Sequence, residues 1–398
     1  MKIGILTYHY SNNYGGVLQS YALYKAIKKS GLNVEIINFV PSSYRNSSIL
    51  YETGLRKNIF KIDKKDLKLK LLLSRIYLKS KYNNIIISKF DSFRKEFIEM
   101  SKQVDEFEFL NILNDYDAIF VGSDQVWHPS QRSRKEYFLG YDNFKGKRIS
   151  YAADSTISTI STISNDVKEK LKNELSNFDC ISVRNQHSFE FVKTITSKCV
   201  PIVADPTLLI DFNEVTKSSN IVKKMSEKYI LVYALGKEVI GTNQKVIDRI
   251  KEKYGNIKVY SIIIPTMKFN VPNYADEVLY DLGPIDWLNA FKNATFILTD
   301  SFHGTLFSMK FRKPFISYYA EKMRSTRFVD LGIRYGIEDF IINNFEDIDE
   351  KRSLTKLPDF DSIEKIINEQ IQSSEDYLKK SLENFMSIPA IKNEKRCK

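Results

Sequence analysis

Cysteine and histidine are scarce: three Cys, at positions 180, 199 and 397, and four His in 398 residues. The cysteines have no close paired spacing and no histidine at metal-ligand distance. Neither a disulfide framework nor a zinc site is expected, and a reducing compartment fits best. Long apolar runs are also missing. No stretch approaches the roughly 18 apolar residues of a membrane span. The N-terminal run Lys2–Tyr8 gives way to Ser11-Asn12-Asn13, too soon for a signal-peptide core. No helix-turn-helix, finger or RNP signature points to nucleic acid. Neither G-x-G-x-x-G nor a P-loop occurs, which argues against ordinary dinucleotide or nucleoside-triphosphate use. There is no internal repeat and no low-complexity tract. The expectation is a cytoplasmic protein that needs no metal or other cofactor.

Apolar residues, by contrast, are plentiful. Hydrophobic residues make up 43% of the chain and aromatics 13%, too much apolar surface for a disordered protein. The length suggests two domains of roughly 150–200 residues. Lys and Arg exceed Asp and Glu by 60 to 49, a net charge of +11 that points to an anionic partner. The excess is local: Leu55–Lys95 carries 13 Lys/Arg against three acids, so 13 − 3 = +10 of it resides there. Leu67, Leu69, Leu71, Leu72, Leu73, Ile76, Tyr77 and Leu78 are interleaved with these charges. Two readings stand: an inserted helical pair with solvated charged faces, or a basic amphipathic element lying on an anionic bilayer.

The opening reads as strand (Lys2–Tyr8), polar glycine-bearing loop (His9–Gly16), helix (Val17–Lys29) and strand (Asn33–Phe39), with Gly31 placed as a helix C-cap. This is a βαβ unit and implies a parallel sheet. Apolar runs at Ala118–Val121, Arg148–Ala152, Cys180–Val183 and Val200–Ala204 continue it. A second alternation runs through Tyr229–Leu235, Ile257–Ile264, a helix at Ile285–Asn293, Thr295–Leu298, a helix from about Gly304 to Phe311, and Pro314–Tyr318. The expected organisation is an α/β domain over 1–212 with a basic helical insertion at about 55–100, and a linker at 213–228. A second α/β domain follows over 229–355, then a C-terminal helix and tail over 356–398. Ligands belong in the cleft between the C-terminal edges of the two sheets.

Five strand-end loops carry candidate chemistry. In Asp300-Ser301-Phe302-His303-Gly304-Thr305, a histidine stands at a helix start, where free N–H groups and the dipole attract phosphate or carboxylate. His303, with Asp300 as neighbour, is a candidate acid/base; a capping role is the alternative. Past the next strand, Lys322, Arg324 and Arg327 supply cations, of which Lys322 and Arg327 could reach the ligand facing His303. In the first loop, Asn13-Tyr14-Gly15-Gly16 allows close backbone approach, while His9 reads as structural. Asp124, Gln125 and Trp127 are suited to binding and stacking on a sugar, or form a packed turn. Arg184 sits at a strand end aimed at the cleft, and a turn or N-cap role is favoured for Asp205.

Together these segments resemble the polysaccharide pyruvyl transferase family. The match is carried by Asn13-Tyr14-Gly15-Gly16-Val17-Leu18-Gln19-Ser20-Tyr21-Ala22-Leu23, Val121-Gly122-Ser123-Asp124-Gln125-Val126-Trp127, Ser182-Val183-Arg184, Val203-Ala204-Asp205-Pro206-Thr207-Leu208-Leu209 and Asp300–Thr305, from residue 1 to about 332. The resemblance implies two Rossmann-like domains in a glycosyltransferase-B-like (GT-B-like) arrangement. It also implies transfer of pyruvate from phosphoenolpyruvate, as co-substrate, to a pair of sugar hydroxyls, giving a cyclic ketal in capsule, exopolysaccharide or cell-wall synthesis. By the same resemblance, His303 is the catalytic residue. Lys322 matches the family's downstream basic residue, and Arg184 and Arg327 match its arginines; with Ser301, Gly304 and Thr305 of the helix start they are the expected donor contacts. Asn13, Tyr14, Gly15, Gly16, Asp124, Gln125 and Trp127 are expected to face a lipid-linked or nucleotide-linked saccharide acceptor. A nucleotide-sugar glycosyltransferase of the same pathway class is the alternative. Peripheral contact with the inner face of the membrane would run through residues 55–95.

Overall fold

A computed structural model describes residues 1–42, 44, 66–127, 135–155, 164–217, 221–264, 272–320, 322–351 and 353–386, with backbone only for 66–81, 222, 322–324 and 384–386. Two parallel sheets organise the chain. The first has the order β2-β1-β3-β4, from β1 (Lys2–Leu6), β2 (Asn33–Ile36), β3 (Ala118–Val121) and β4 (Lys147–Ser150). Single parallel bridges from Ile149 to Cys180, Ala153 to Val183 and Val183 to Ile202 carry it past β4. The second has the order β10-β9-β8-β5-β6-β7. It is formed by β5 (Tyr229–Tyr233), β6 (Lys258–Ile262), β7 (Glu277–Leu279), β8 (Phe296–Thr299), β9 (Phe315–Tyr318) and β10 (Ile341–Ile342). The central strands β3, β5, β8 and β9 are buried at every residue and apolar except at Thr299 and Ser317, the signature of strands covered on both faces.

Nine helices of eight or more residues are described: α1 (Tyr14–Lys28), α2 (Asp66–Phe97), α3 (Asn165–Ser176), α4 (Gln186–Thr196), α5 (Asn243–Tyr254), α6 (Pro284–Asn293), α7 (Phe302–Lys310), α8 (Lys322–Tyr335) and α9 (Phe360–Met386). Helix α1 is buried from Tyr14 to Tyr24, and α7 from Phe302 to Met309. Helices apolar all round belong in an interior, and these two form the seam between the domains. One apolar core runs across that seam, from Ile3 and Val17 to Trp287, Phe291 and Phe307. Tyr14 is its rivet: its ring stacks on Trp287, with centroids 5.5 Å apart and planes at 15°, and its hydroxyl donates to the Leu282 carbonyl at 2.8 Å. Burial of the aromatic body with the hydroxyl satisfied is the favoured use of tyrosine.

Within the basic insertion the described residues form one 32-residue helix over 66–97. Residues 55–65 of that stretch lie outside the described residues. The C-terminal half of α2 is buried through Ile86, Phe90 and Phe93, and Lys89 donates to the Asp281 carbonyl at 2.6 Å. This half straps the two domains together, which explains why apolar residues recur among its charges. The expected C-terminal helix is present over Phe360–Met386. Helix α9 returns to the first domain, where Tyr377 donates to the Ser150 carbonyl at 2.7 Å and Ser374 accepts from the Ala204 amide at 2.8 Å.

Candidate active site

The strand-end loops end in side-chain caps, which fixes where each helix begins. Asn13 accepts from the Gly16 amide at 3.2 Å, Asn185 from Ser188 at 2.8 Å and Ser301 from Gly304 at 3.2 Å. The capped N-termini of α1 and α7, one from each domain, converge at His303. A β-carbon added to Gly15 would lie 2.1 Å from Nδ1 of His303, so the imidazole lies against the α1 backbone where only glycine fits. His303 is 8% exposed, and its Nε2 is sealed from solvent.

The nearest carboxylate to Nε2 is Asp205, with Oδ2 at 3.6 Å. Asp205 also caps its own turn, its Oδ1 accepting from the Thr207 amide at 3.0 Å and the Thr207 hydroxyl at 2.7 Å. The capping expectation is therefore half of its role. Arg184, 1% exposed, binds Asp205 Oδ2 at 3.0 Å, Asp154 Oδ2 at 2.6 Å and Asp124 Oδ1 at 3.3 Å. Burial acts to raise the Asp205 pKa, but the His303 and Arg184 charges outweigh it and hold the carboxyl well below the usual range. Burial likewise opposes the Arg184 charge, and the three carboxylates reverse that and raise its pKa. Asp154, at the exit of β4, was not singled out from the sequence, although an acid directly after the buried Ala152-Ala153 was the available signal.

The other expected residues divide. Asp300, the expected carboxylate neighbour of His303, instead accepts from the Leu235 and Gly236 amides at 2.6 and 2.7 Å and so anchors the loop after β5. Thr305 is buried and its hydroxyl pairs with Ser317 at 2.7 Å, Ser301 is the α7 cap, and Gly304 packs on Thr299. Arg184, expected to face the donor, is enclosed by carboxylates. Arg327 and Arg184 both flank the Phe302 ring, at 6.0 and 4.5 Å from its centroid. Lys322 opens α8, and its side chain lies outside the described atoms. On the acceptor side, Tyr14 is the interdomain rivet described above. Gly16 sits beside Ser11. The Gln125 carbonyl accepts from the Tyr8 hydroxyl at 3.3 Å. Trp127 is corrected from sugar platform to core residue: it is 1% exposed, stacked on Phe138 with edge contact to Phe178, and its indole N–H donates to the Tyr137 carbonyl at 3.2 Å.

Neither of two clefts in the molecule is lined by His303, Asp205 or Arg184. One of about 470 Å³ opens between α4 and α8 and is lined by His187, Thr326, Asp330 and Arg334, chain neighbours of Arg184 and Arg327. The other, about 600 Å³, lies at the C-terminal ends of α1 and α7, where burial pushes the Lys310 pKa down to about 8. Among the described residues, no group of three or more His, Cys, Asp or Glu is arranged to hold a metal ion, and no helix is long and apolar enough to cross a membrane.

The family model for polysaccharide pyruvyl transferase matches residues 13–321. The chain belongs to that family. No curated protein matches it in sequence. Among solved structures it is similar to UDP-GlcNAc 2-epimerase from Neisseria meningitidis bound to UDP-GlcNAc, with 13% identity, 98% of this chain and 100% of that one covered, and a TM-score of 0.52. A putative UDP-N-acetylglucosamine 2-epimerase from Listeria monocytogenes is similar at 12% identity, 98% and 97% coverage and a TM-score of 0.53. Arabidopsis thaliana UGT89C1 complexed with UDP-L-rhamnose follows at 12% identity, 96% and 97% coverage and a TM-score of 0.50. At these identities the likeness establishes the GT-B-like fold of this pyruvyl transferase family member. Its two parallel-sheet domains and terminal helix accord with that fold.

Proposed function

We propose that this family member transfers the pyruvyl group of phosphoenolpyruvate to two hydroxyls of a sugar, forming a cyclic ketal during capsule, exopolysaccharide or cell-wall glycan synthesis. The observation that supports this best is the place of His303. A titratable imidazole stands where the N-termini of α1 and α7 converge from the two domains, a setting that favours an anionic substrate. His303, protonated, gives its proton to the methylene carbon of phosphoenolpyruvate and makes C2 electrophilic. A sugar hydroxyl adds to C2 and its proton returns to the imidazole. The C2–O bond to phosphate then breaks, a second hydroxyl closes the ring, and its proton leaves with the phosphate. Arg327 and Lys322 meet the donor's charge and stabilise the leaving phosphate. The acceptor, lipid-linked or nucleotide-linked, lies toward Gly15, Gly16, Asp124 and Gln125.

The deciding experiment incubates the protein with phosphoenolpyruvate and a panel of lipid-linked and nucleotide-linked sugars, following phosphate release and acceptor mass. An acceptor-dependent release with a mass gain of one pyruvyl group is expected. Release of nucleoside diphosphate from a nucleotide sugar, with none of phosphate from phosphoenolpyruvate, would replace this reading with glycosyl transfer. In parallel, phosphoenolpyruvate should raise the melting temperature by ligand linkage, and Arg327→Ala should weaken that effect.

A further inference from the structure

His303 and the carboxylate it faces come from different domains, and the carboxylate is held by a third group. We propose that Asp205 is the orienting partner of His303 and Arg184 the positioning residue that holds Asp205. Nε2–H is thereby committed to the carboxylate, and Nδ1 is the nitrogen that exchanges protons with substrate. This assignment rests on the pyruvyl-transfer reading only for the identity of that substrate.

The geometry carries it in three steps. Nε2 is buried without a hydrogen-bond partner among the described residues and the nearest charged group it faces is Asp205 Oδ2 at 3.6 Å, while Nδ1 lies on the Gly15 side at the junction of the helix N-termini. Catalytic hydrogen bonds are often this long without substrate and tighten in the substrate complex. Next, Asp205 cannot swing away: Oδ1 takes two bonds from Thr207, and Oδ2 takes one from Arg184 at 3.0 Å. Finally, the terminal nitrogens of Arg184 are turned to acids, and only its buried Nε has no hydrogen-bond partner among the described residues. Its guanidinium is 1% exposed, engaged by Asp205, Asp154 and Asp124, and lies 4.5 Å from the Phe302 ring centroid. Asp154 is braced in turn by the Ser188 hydroxyl at 3.2 Å. Other charged neighbours include Asp300, whose carboxylate serves the Leu235 and Gly236 amides, Arg327 beside Phe302, Arg334, which donates to the Arg184 carbonyl at 2.7 Å, and Lys310, whose charge acts on Asp205.

During turnover the imidazolium carries N–H at both nitrogens. Nδ1–H goes to the phosphoenolpyruvate methylene, leaving the neutral Nε2–H tautomer, and Nδ1 accepts the hydroxyl proton as the C2–O bond to the sugar forms. Asp205 accepts the Nε2–H bond throughout and transfers nothing.

The test is nitrogen-15 imidazole NMR on the full chain, with kinetics alongside. Wild-type neutral His303 is expected as the Nε2–H tautomer. In Asp205→Asn the oxygen stays on Thr207, so the amide NH2 replaces Oδ2, gives up the Arg184 bond and presents N–H to Nε2, which drives the ring to Nδ1–H. The expected readout is that tautomer switch with kcat lowered at least 100-fold and phosphoenolpyruvate affinity within about two-fold. Arg184→Lys should also change the His303 spectrum and lower kcat with donor affinity kept. A wild-type Nδ1–H tautomer overturns the proposal and needs no variant to fold. So does an Asp205→Asn enzyme with unchanged kcat, or an Arg184→Lys enzyme that loses donor affinity ten-fold with its His303 spectrum unaltered. If the tautomer switches as expected but phosphoenolpyruvate yields no phosphate, the pair stands and the pyruvyl-transfer reading falls.

Discussion

Gly15 and His303 are 288 positions apart in sequence and in direct contact in space: a methyl group on the glycine would lie 2.1 Å from the imidazole Nδ1. The first domain thus leaves out a side chain so that the second can bring its histidine to the α1 N-terminus. Gly15→Ala must displace either the ring or the seam between the domains. Its kcat is expected to fall at least about 100-fold, as for other misplacements of a reacting group, with far-UV circular dichroism unchanged. An alanine variant with normal kcat would move the reacting atoms away from this contact.

His303→Gln removes the proton-carrying group and retains the approximate shape of the side chain. Turnover should vanish while the phosphoenolpyruvate-induced rise in melting temperature persists. Near-normal activity would end the acid/base role of this residue.

Trp127 lies wholly within the first domain's core, between Phe138 and Phe178. Trp127→Ala should cost about 3–5 kcal/mol of stability, read from denaturant unfolding. At a temperature where the variant stays folded, its KM for acceptor should match wild type. A raised acceptor KM with stability intact would restore the sugar-stacking role.

His9 is buried against the Thr7 carbonyl and the Asn38 amide, 3.1 Å from each, and burial is the main cause that pushes its pKa down to about 4. The unfolded chain takes up a proton at His9 near its ordinary value of 6.5, whereas the folded protein stays neutral there until about pH 4. The contribution is therefore fully present above pH 6.5 and is lost as pH falls toward 4, by about 3 kcal/mol in all. Unfolding free energies measured from pH 7.5 to 4.5 should decline less steeply in His9→Gln than in wild type; parallel slopes would contradict the burial argument.

The cationic stretch before α2 gives a separate prediction. Replacing Lys57, Lys61, Lys64 and Lys65 with Gln should reduce co-sedimentation with phosphatidylglycerol vesicles at low salt, since each cation near an anionic surface contributes about 1 kcal/mol. Turnover of a soluble acceptor should be retained. Equal vesicle binding by both proteins would leave these charges solvated.

The alternation of apolar strands and amphipathic helices was legible to within a residue or two: Ala118–Val121 is a strand as expected, and Tyr229–Tyr233, Phe296–Thr299 and Phe315–Tyr318 fall where the runs Tyr229–Leu235, Thr295–Leu298 and Pro314–Tyr318 place them. His303 at a helix start was legible too, because a polar cap after a buried strand signals the turn that follows. Side-chain direction was not. Trp127 and Thr305 have the chemistry of ligand-binding groups and face the interior, Asp300 spends its charge on backbone amides, and Arg184 is surrounded by acids drawn from three loops. Asp205 looked like a cap and is one, yet its second oxygen faces a histidine from the other domain.

Local sequence, then, determined the elements, their order and the loops at the sheet edges, since period and capping are properties of neighbouring residues. Tertiary structure alone decided which atoms meet. The Gly15–His303 contact and the Arg184–Asp205–His303 chain depend on how two separately wound sheets dock through Tyr14 and Trp287, and that docking follows from apolar surfaces distant in sequence that are buried only together.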